Sequence, residues 1–519
     1  VGPSTEPPWS HQDDPPAGDP LASTPEEDLL EDGLGSTIAW LLVLSLVQKS
    51  IGFVRSLVIC RWLDPVNLGA WGMALAVMET LLPLSLLSIP GCFGRYVEHF
   101  RQRGQLRGFV RQAALLCGAS LGTAVLIALL FQDHLATLAF GNSDYRGIFL
   151  FAVLCTVPSA IFGFCGELLV ALRMGKSATL GTFCRGVAFT LITIGLLLWW
   201  RTDVVAMITA FGTSYLLAIA VVIYPVFRAL TNAPRDQSPL PLTRTWSGLS
   251  RFVIAFWLMD LLTNLFFTVD RYMLVNFSAD RANALEQVGN YESAHTLPIL
   301  IATIVLMISR LLLPYQVREW ESGNHQHVWR NTNLSIKITG LTLFLAGWCL
   351  SFVGGPLFQI WFRGQYASGL QVMPLAIAIC CLTGVAAMWM NYFLCIEKAW
   401  LGTVTTGLAV AVNIVINLLL VPRYGLMGAA TATLIANGTV LCSSMLIGHQ
   451  HGLRFDPATA ALAFLPAAVC TPVPVAAGLL VVIATLMASG YLLNGEERRV
   501  LDQLAHDGIA RLREHLAKE

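Results

Sequence analysis

Long apolar segments alternate with short polar connections along most of the chain. Most of them are about 20 residues long, which is the length a helix needs to cross roughly 30 Å of hydrocarbon. Lipid offers no partners for backbone polar groups, so such segments must be helices, and the short alternating strands of a β-barrel are not seen. The twelve clearest segments occupy residues 35–57, 66–90, 112–131, 147–171, 182–200, 204–227, 251–277, 288–313, 334–354, 369–394, 401–421 and 425–447.

Two more spans are expected near the end of the chain, because the apolar region 457–493 is long enough for both, with Pro472 and Pro474 at the turn. The pattern therefore predicts an all-α integral membrane protein with 12–14 transmembrane helices, and 14 is the preferred number. Segment 1–33 is rich in proline and acidic residues and is expected to be a disordered tail. Apolar residues at helical spacing within 494–519 predict an amphipathic surface helix.

Charge sets the expected orientation. Only 12% of the residues are charged, against about 25% in soluble proteins. The even-numbered connections and the C-terminal tail carry 21 Lys and Arg, whereas the odd-numbered connections carry 6. By the positive-inside rule both termini, and the linker 230–250, are expected to be cytoplasmic. Arg outnumbers Lys by 27 to 5, which is typical of a GC-rich bacterial genome and favours the bacterial cytoplasmic (inner) membrane.

An internal repeat is indicated by short matches at a shared offset. Leu68–Trp71 opens the second segment and Val288–Tyr291 opens the eighth, 220 positions later, while Leu180–Thr182 recurs 221 positions later as Leu401–Thr403. Six spans per half is an even number, so the halves should point the same way, related by an axis along the membrane normal with the substrate path between them. The expected lobes are residues 34–229 and 251–450, with 457–493 outside the repeat.

Three stretches resemble one known family. Asn413–Thr433 resembles the eleventh-to-twelfth-span signature of Wzx-type polysaccharide and O-antigen flippases, in the multidrug/oligosaccharidyl-lipid/polysaccharide (MOP) exporter superfamily. Arg61–Gly72 resembles the connection between the first two spans of that family, and Asp270 followed by Val288–Tyr291 resembles its seventh-to-eighth-span region. The resemblance implies a two-lobed fold of 12–14 spans that alternates access and moves undecaprenyl-diphosphate-linked sugars outward. The acidic tail departs from the family pattern.

The signature stretch also has a physical interpretation. Pro422 and Gly425 predict the end of one helix and a tight turn before the next. Gly428 and the alanines after it predict a small-residue face for close helix packing. These residues indicate a fold and no chemistry.

Charged residues inside predicted spans cost roughly 2.5–3.5 kcal/mol each on insertion scales, so they usually face a cavity and mark function. We hypothesise that four cations line a water-filled cavity for the substrate diphosphate, because Arg matches phosphate oxygens bidentately. These candidate substrate-binding residues are Lys49, Arg55, Arg185 and Arg271. The candidates for coupling to H⁺ or Na⁺ are Glu167, Asp260, Asp270 and Glu292.

Helical spacing supports part of this set. Gln48, Gly52 and Arg55 share one face of the first span. Asp260 and Arg271 share a stripe of the seventh span with two further polar residues between them. For every candidate the alternatives are an interhelical ion pair or a side chain that snorkels to the membrane interface.

The leading functional hypothesis is a flippase for lipid-linked oligosaccharide, with membrane lipids and polysaccharide-assembly proteins as further partners. One alternative is a multidrug antiporter of the same superfamily. Another is a membrane-embedded glycan polymerase or ligase, although such enzymes usually need a large outward loop with acid and base residues, and the odd connections are short. We therefore expect no enzymatic activity. The twelve cysteines show no metal-ligand spacing, and no cofactor is expected.

Overall fold

The computed structural model describes residues 26–233 and 242–488, and this part of the chain consists of helices joined by turns, without strands. Its sixteen α-helices are α1 Glu26–Trp62, α2 Pro65–Leu86, α3 Phe93–Gln102, α4 Leu106–Leu130, α5 Gln132–Phe140, α6 Arg146–Ala171, α7 Gly175–Trp199, α8 Val204–Asn232, α9 Leu242–Phe277, α10 Ala284–Thr296, α11 Pro298–Glu321, α12 His325–Pro356, α13 Ala367–Cys395, α14 Trp400–Gln450, α15 Pro457–Phe464 and α16 Val473–Ala488. Among the described residues, 11 helices are long and apolar enough to cross a membrane. The fold class predicted from the sequence is confirmed.

Helix α14 contains two crossings. Its 51 residues are interrupted at Gly425, whose φ of 51° and ψ of −125° reverse the chain. Gly428 follows in the second crossing, where an added Cβ would lie 2.5 Å from the carbonyl oxygen of Leu420 in the first. The predicted turn and the predicted close packing are both confirmed, and the described chain therefore holds the twelve crossings read from its hydropathy.

Two predicted spans differ from the structure. The eighth was expected as one helix over 288–313, but it is divided between α10 and α11 at Leu297, because Pro298 has no N–H to continue the helical hydrogen bonds. Residues 457–470, expected to begin the last pair of spans, form α15 and a 3₁₀ segment that together are shorter than the other spans. Helix α16 follows and is described to Ala488, so the final pair of spans stays a prediction.

The described helices divide into two compact units. The first runs to Asn276 and also includes Arg281–Gly289, and the second comprises Phe277–Asp280 and the chain from Asn290 onward. The division into lobes at 34–229 and 251–450 stays a prediction. Residues 1–25 of the predicted tail, 234–241 of the linker and all of 494–519 lie outside the described residues.

The first unit is built around α6, α7 and α8, which pack on one another. A second group of contacts joins α3, α4 and the start of α9 through buried side chains that include Phe93, Phe109 and Leu249. The start of α10 also belongs to this unit and approaches α2 at two glycines. An added Cβ on Gly69 would lie 2.9 Å from the backbone nitrogen of Gly289, and one on Gly289 would lie 3.1 Å from that of Gly69.

The second unit is centred on α13, which packs against α11, α12 and α14. Its large side chains Trp389, Tyr392 and Phe393 are each 1% exposed. Polar groups within the unit are paired between helices: Ser309 of α11 and Asn391 of α13 exchange hydrogen bonds, with Nδ2 of Asn391 lying 2.9 Å from the carbonyl oxygen of Ser309. Such pairing is what a helix bundle in lipid requires.

Candidate functional site

Two arginines of the first unit lie over aromatic rings. The guanidinium carbon of Arg55 on α1 is 4.1 Å from the ring centroid of Phe189 on α7. Arg185, one turn before Phe189 on the same helix, has its guanidinium carbon 5.0 Å from the ring centroid of Tyr215 on α8. Stacking of this kind fixes the plane of a guanidinium and leaves the N–H groups at its edge able to bind an anion.

The rings belong to one cluster of five aromatic side chains. Trp71 of α2 packs against Phe189 and Phe211, with ring centroids 6.0 and 5.8 Å apart. Phe211 is 4.8 Å from Tyr215 on α8, and Tyr215 is 5.5 Å from Phe162 on α6. Four helices thus share one rigid aromatic platform beneath the two guanidinium groups.

Local sequence explains how α1 brings Arg55 to this platform. Residues four apart on a helix lie on one face, as do Gln48, Gly52 and Arg55 of α1. Gly186 of α7 receives that face, because an added Cβ there would lie 3.0 Å from Cγ of Gln48. The predicted shared face of the first span is therefore confirmed, and its polar side faces α7.

The charges of Arg55 and Arg185 are close enough to act on each other as like charges. Neither arginine forms an ion pair within the described parts of the chain, and Nε of Arg55 is buried there without a hydrogen-bond partner. Two half-buried cations held together by packing repel each other unless an anion lies between them. This pair thus has the charge that binding of a multivalent anion would require.

Arg271 lies in a different environment. Its Nη1 is 3.5 Å from Oε2 of Glu79 on α2, and the Arg271 side chain is 16% exposed. In the next position of each helix, the hydroxyls of Thr80 and Tyr272 are 3.4 Å apart. Glu79 thus neutralises Arg271 in an interhelical ion pair, which the sequence analysis gave as the alternative to a cavity-lining role. Lys49 of α1, the fourth predicted cation, is exposed.

The predicted acidic residues do not form one group. Asp260 of α9 accepts hydrogen bonds from the Ser88 hydroxyl at 2.7 Å and from the Asn264 amide at 3.0 Å. Asp270 is 2% exposed, whereas Glu167 of α6 is exposed. The fourth, Glu292, is half-buried on α10 in the second unit. No set of three His, Cys, Asp or Glu side chains suited to a metal ion occurs in the described segments.

Backbone geometry positions Ser88 for its contact with Asp260. Leu87 and Ser88 follow α2 with φ of 49° and 47°, the left-handed region that non-glycine residues rarely adopt. This turn ends α2 and directs the Ser88 hydroxyl at the carboxylate of α9. Two residues of the polar stripe predicted for the seventh span thus have different partners: Asp260 contacts Ser88, and Arg271 contacts Glu79.

One buried cation was missed by the sequence analysis. Lys337 of α12, in the second unit, is 1% exposed, and its Nζ donates a hydrogen bond of 2.7 Å to Oδ2 of Asp456. Asp456 caps α15 by accepting from the backbone N–H of Thr459 at 2.8 Å. Burial raises the pKa of Asp456, but the hydrogen bonds from Lys337 and Thr459 outweigh it and hold the pKa below its ordinary value. The signal was present, since Lys337 lies inside the predicted ninth span.

Comparison with known proteins gives a family match and a set of structural relatives. The family described as "Polysaccharide biosynthesis protein" matches residues 34–320. Comparison with curated protein sequences gives no match.

Among solved structures, an inward-facing multidrug resistance MATE family transporter of the MOP superfamily superposes with a TM-score of 0.62 at 14% identity, over 80% of this chain and 95% of that one. The lipid II flippase MurJ, in an inward closed conformation, superposes with a TM-score of 0.59 at 10% identity, over 85% of this chain and 98% of that one. A MATE structure in the bent conformation gives 0.55 at 16% identity, over 86% of this chain and all of that one. At these identities the likeness establishes the fold.

Proposed function

Because the chain belongs to the polysaccharide biosynthesis protein family, we propose that it is a flippase that moves a lipid-linked oligosaccharide across the membrane by alternating access. The family match covers more than half of the chain, and the fold is that of MOP superfamily transporters. The resemblance drawn from the signature stretches is thereby confirmed at the level of family and fold. The substrate we propose is an undecaprenyl-diphosphate-linked precursor of a surface polysaccharide.

The observation that carries this proposal is the pair Arg55 and Arg185 on the aromatic platform. A diphosphate spreads its negative charge over several oxygens, and two guanidinium groups can donate several N–H bonds to them at once. The rings beneath would restrict both side chains, so less conformational freedom is lost when the diphosphate binds. The exposed Lys49 on α1 would meet the same anion on entry, and Arg271 would contribute less because Glu79 already neutralises it.

Coupling to H⁺ or Na⁺ is part of the proposal. Asp260 is the candidate we favour, because its carboxylate accepts hydrogen bonds from Ser88 and Asn264 across two elements of the first unit. Protonation of Asp260 would remove the negative charge that accepts these two hydrogen bonds and would weaken both. The contact between α9 and the turn after α2 would then be weaker. Asp270, Glu167 and Glu292 remain further candidates.

A multidrug antiporter is the alternative function, since a multidrug transporter shares the fold. Cationic drugs would need an acidic site, whereas the pair described above is cationic, which favours the anionic lipid-linked substrate. A glycan polymerase or ligase is disfavoured by the short connections. We propose that the protein lies in a bacterial cytoplasmic membrane with both termini in the cytoplasm, and that it works beside polysaccharide-assembly proteins.

The proposal is tested by deleting the gene and measuring lipid-linked glycans by mass spectrometry. A completed oligosaccharide-diphosphate-lipid should accumulate in the deletion strain, and wild-type protein should clear it. Arg55→Ala and Arg185→Ala should fail to clear it at equal protein levels, whereas Arg146→Ala should succeed. Arg146 is the control because it is an arginine of the same unit that is already paired with Asp133, at 3.4 Å.

The outcomes separate the function from the site. If all three variants clear the accumulated oligosaccharide-diphosphate-lipid, the flippase function stands, but the arginine pair is not its diphosphate site. Unchanged lipid-linked glycan in the deletion strain, under conditions in which the surface polymer is made, would reject the flippase and favour the drug antiporter.

A further inference from the structure

A strongly basic surface is formed by α3 and the start of α4. It consists of the exposed side chains Arg95, Arg101, Arg103 and Arg111. The surface also holds one acidic residue, Glu98, whose carboxylate lies 3.5 Å from Arg101. Over residues 93–111, which cover α3 and the first turns of α4, the chain thus presents a clear excess of positive charge.

Packing within the protein fixes this surface in place. The apolar side chains of α3, Phe93, Val97 and Phe100, are 0%, 0% and 8% exposed and belong to the core of the first unit. At the start of α4, Nη2 of Arg107 donates to the carbonyl oxygens of Thr231 and Ala233 at 2.6 and 2.5 Å, which closes the end of α8. Because its apolar face is covered by protein, α3 does not have that face available for insertion into lipid.

The positive charge acts on its neighbours. Burial lowers the pKa of His99 on α3 below its ordinary value, and the charge of Arg103 lowers it further. Arg95 lies with its guanidinium carbon 5.4 Å from the ring centroid of Phe252 on α9, so aromatic contact rather than a carboxylate holds it. The surface is therefore able to attract negative charge from outside its own helices.

The N-terminal segment carries that charge and enters from the same side of the membrane. Helices α1 and α2 each cross once, so the chain returns at α3 to the side from which α1 began. Residues 1–32 contain nine acidic residues and no Lys or Arg, with four acidic residues before α1 and five in its first two turns. They are Glu6, Asp13, Asp14, Asp19, Glu26, Glu27, Asp28, Glu31 and Asp32.

We propose that the basic surface binds the acidic N-terminal segment, residues 1–32, of the same chain. A stretch of 25 residues can span at most about 80 Å, against about 10–12 Å for the width of one helix. The segment can therefore reach across two or three helices of its own unit. The contact is electrostatic and exposed, so it should weaken with salt.

The test is photo-crosslinking of the full chain in nanodiscs of neutral phosphatidylcholine. A photoreactive amino acid replaces Ser10 in the segment, and mass spectrometry maps the crosslinked residues. Crosslinks should fall within 93–111. Their yield should drop roughly tenfold in the combined variant Arg101→Gln, Arg103→Gln and Arg111→Gln, and similarly when KCl is raised from about 0.05 to about 0.5 M.

The matched control replaces Arg146 and Arg201 by Gln. Both are exposed and ion-paired, and both are on the other side of the membrane, Arg146 at the start of α6 and Arg201 between α7 and α8. This variant should leave the yield unchanged. Crosslinks that map elsewhere, or a yield unaffected by the triple substitution, would overturn the proposal. Crosslinks that appear only when anionic phosphatidylglycerol is included would also overturn it and assign the surface to lipid headgroups.

Discussion

The contact between α2 and α10 predicts that Gly69→Ala strongly destabilises the protein. A Cβ at Gly69 would lie 1.8 Å from the carbonyl oxygen of Leu285, and one at Gly289 would lie 1.9 Å from that of Pro65. Carbon and oxygen atoms do not approach below about 3 Å, so the two helices must move apart by more than 1 Å. The clash is with backbone, which cannot rotate away as a side chain can.

The expected magnitude follows from two opposing effects. Overpacking of a close-packed interior typically costs about 1–3 kcal/mol, and a backbone clash belongs at the upper end. Replacing a helical glycine by alanine returns roughly 0.5–1 kcal/mol of backbone entropy. The net loss should be about 2 kcal/mol, which corresponds to a drop of roughly 2–3 °C in the thermal midpoint, because the unfolding entropy rises with chain length.

Thermal unfolding of purified protein in one detergent, followed by fluorescence, measures this shift. Gly118→Ala is the control, because no heavy atom lies within 4 Å of the Cβ it would add to α4. The control should match wild type or exceed it slightly, and Gly289→Ala should behave like Gly69→Ala. If Gly69→Ala and Gly118→Ala have the same thermal midpoint, α2 and α10 are not in the contact described, and the reasoning fails.

Three other predictions concern ion pairs. Arg271→Ala should cost up to about 1 kcal/mol of stability, because Glu79 is half-exposed, and Glu79→Gln should recover part of the loss in a double-mutant cycle measured by the same unfolding assay. Lys337→Ala should cost more, about 1–3 kcal/mol, since it leaves the partner carboxylate half-buried and unpaired; equal stability of Lys337→Ala and wild type would refute that pair. Because the pKa of Asp456 is lowered in the folded protein, its carboxylate stabilises the fold fully above the ordinary pKa of aspartate, and this stabilisation is lost as the pH falls through the lower, folded value. The free energy of unfolding of Asp456→Asn should therefore depend less on pH in the acid range than that of wild type.

The sequence by itself determined the membrane class, twelve of the crossings and the family. Each of these depends on local properties: the apolar character of about 20 successive residues, or a short stretch such as Pro422–Gly425 that ends a helix and reverses the chain. The repeat offset of 220 was also read from sequence, and it acquires a physical counterpart in the structure. Gly69 and Gly289, which are 220 positions apart, lie where α2 and α10 approach each other, while the repeat itself stays a prediction.

Only the tertiary structure decided how the charged residues group. Hydropathy and helical spacing say which residues share a face of one helix, but not which helix that face meets. Arg271 and Glu79 are paired across 192 positions, and Lys337 and Asp456 across 119, so neither pair could be read from local spacing. Among the described residues, Arg55 and Arg185 have no carboxylate partner; Gly186 gives α1 room to approach α7, and aromatic rings contact both guanidinium groups. The choice of partner depends on packing between distant segments, which is why four cations that looked alike in the sequence have different environments in the fold.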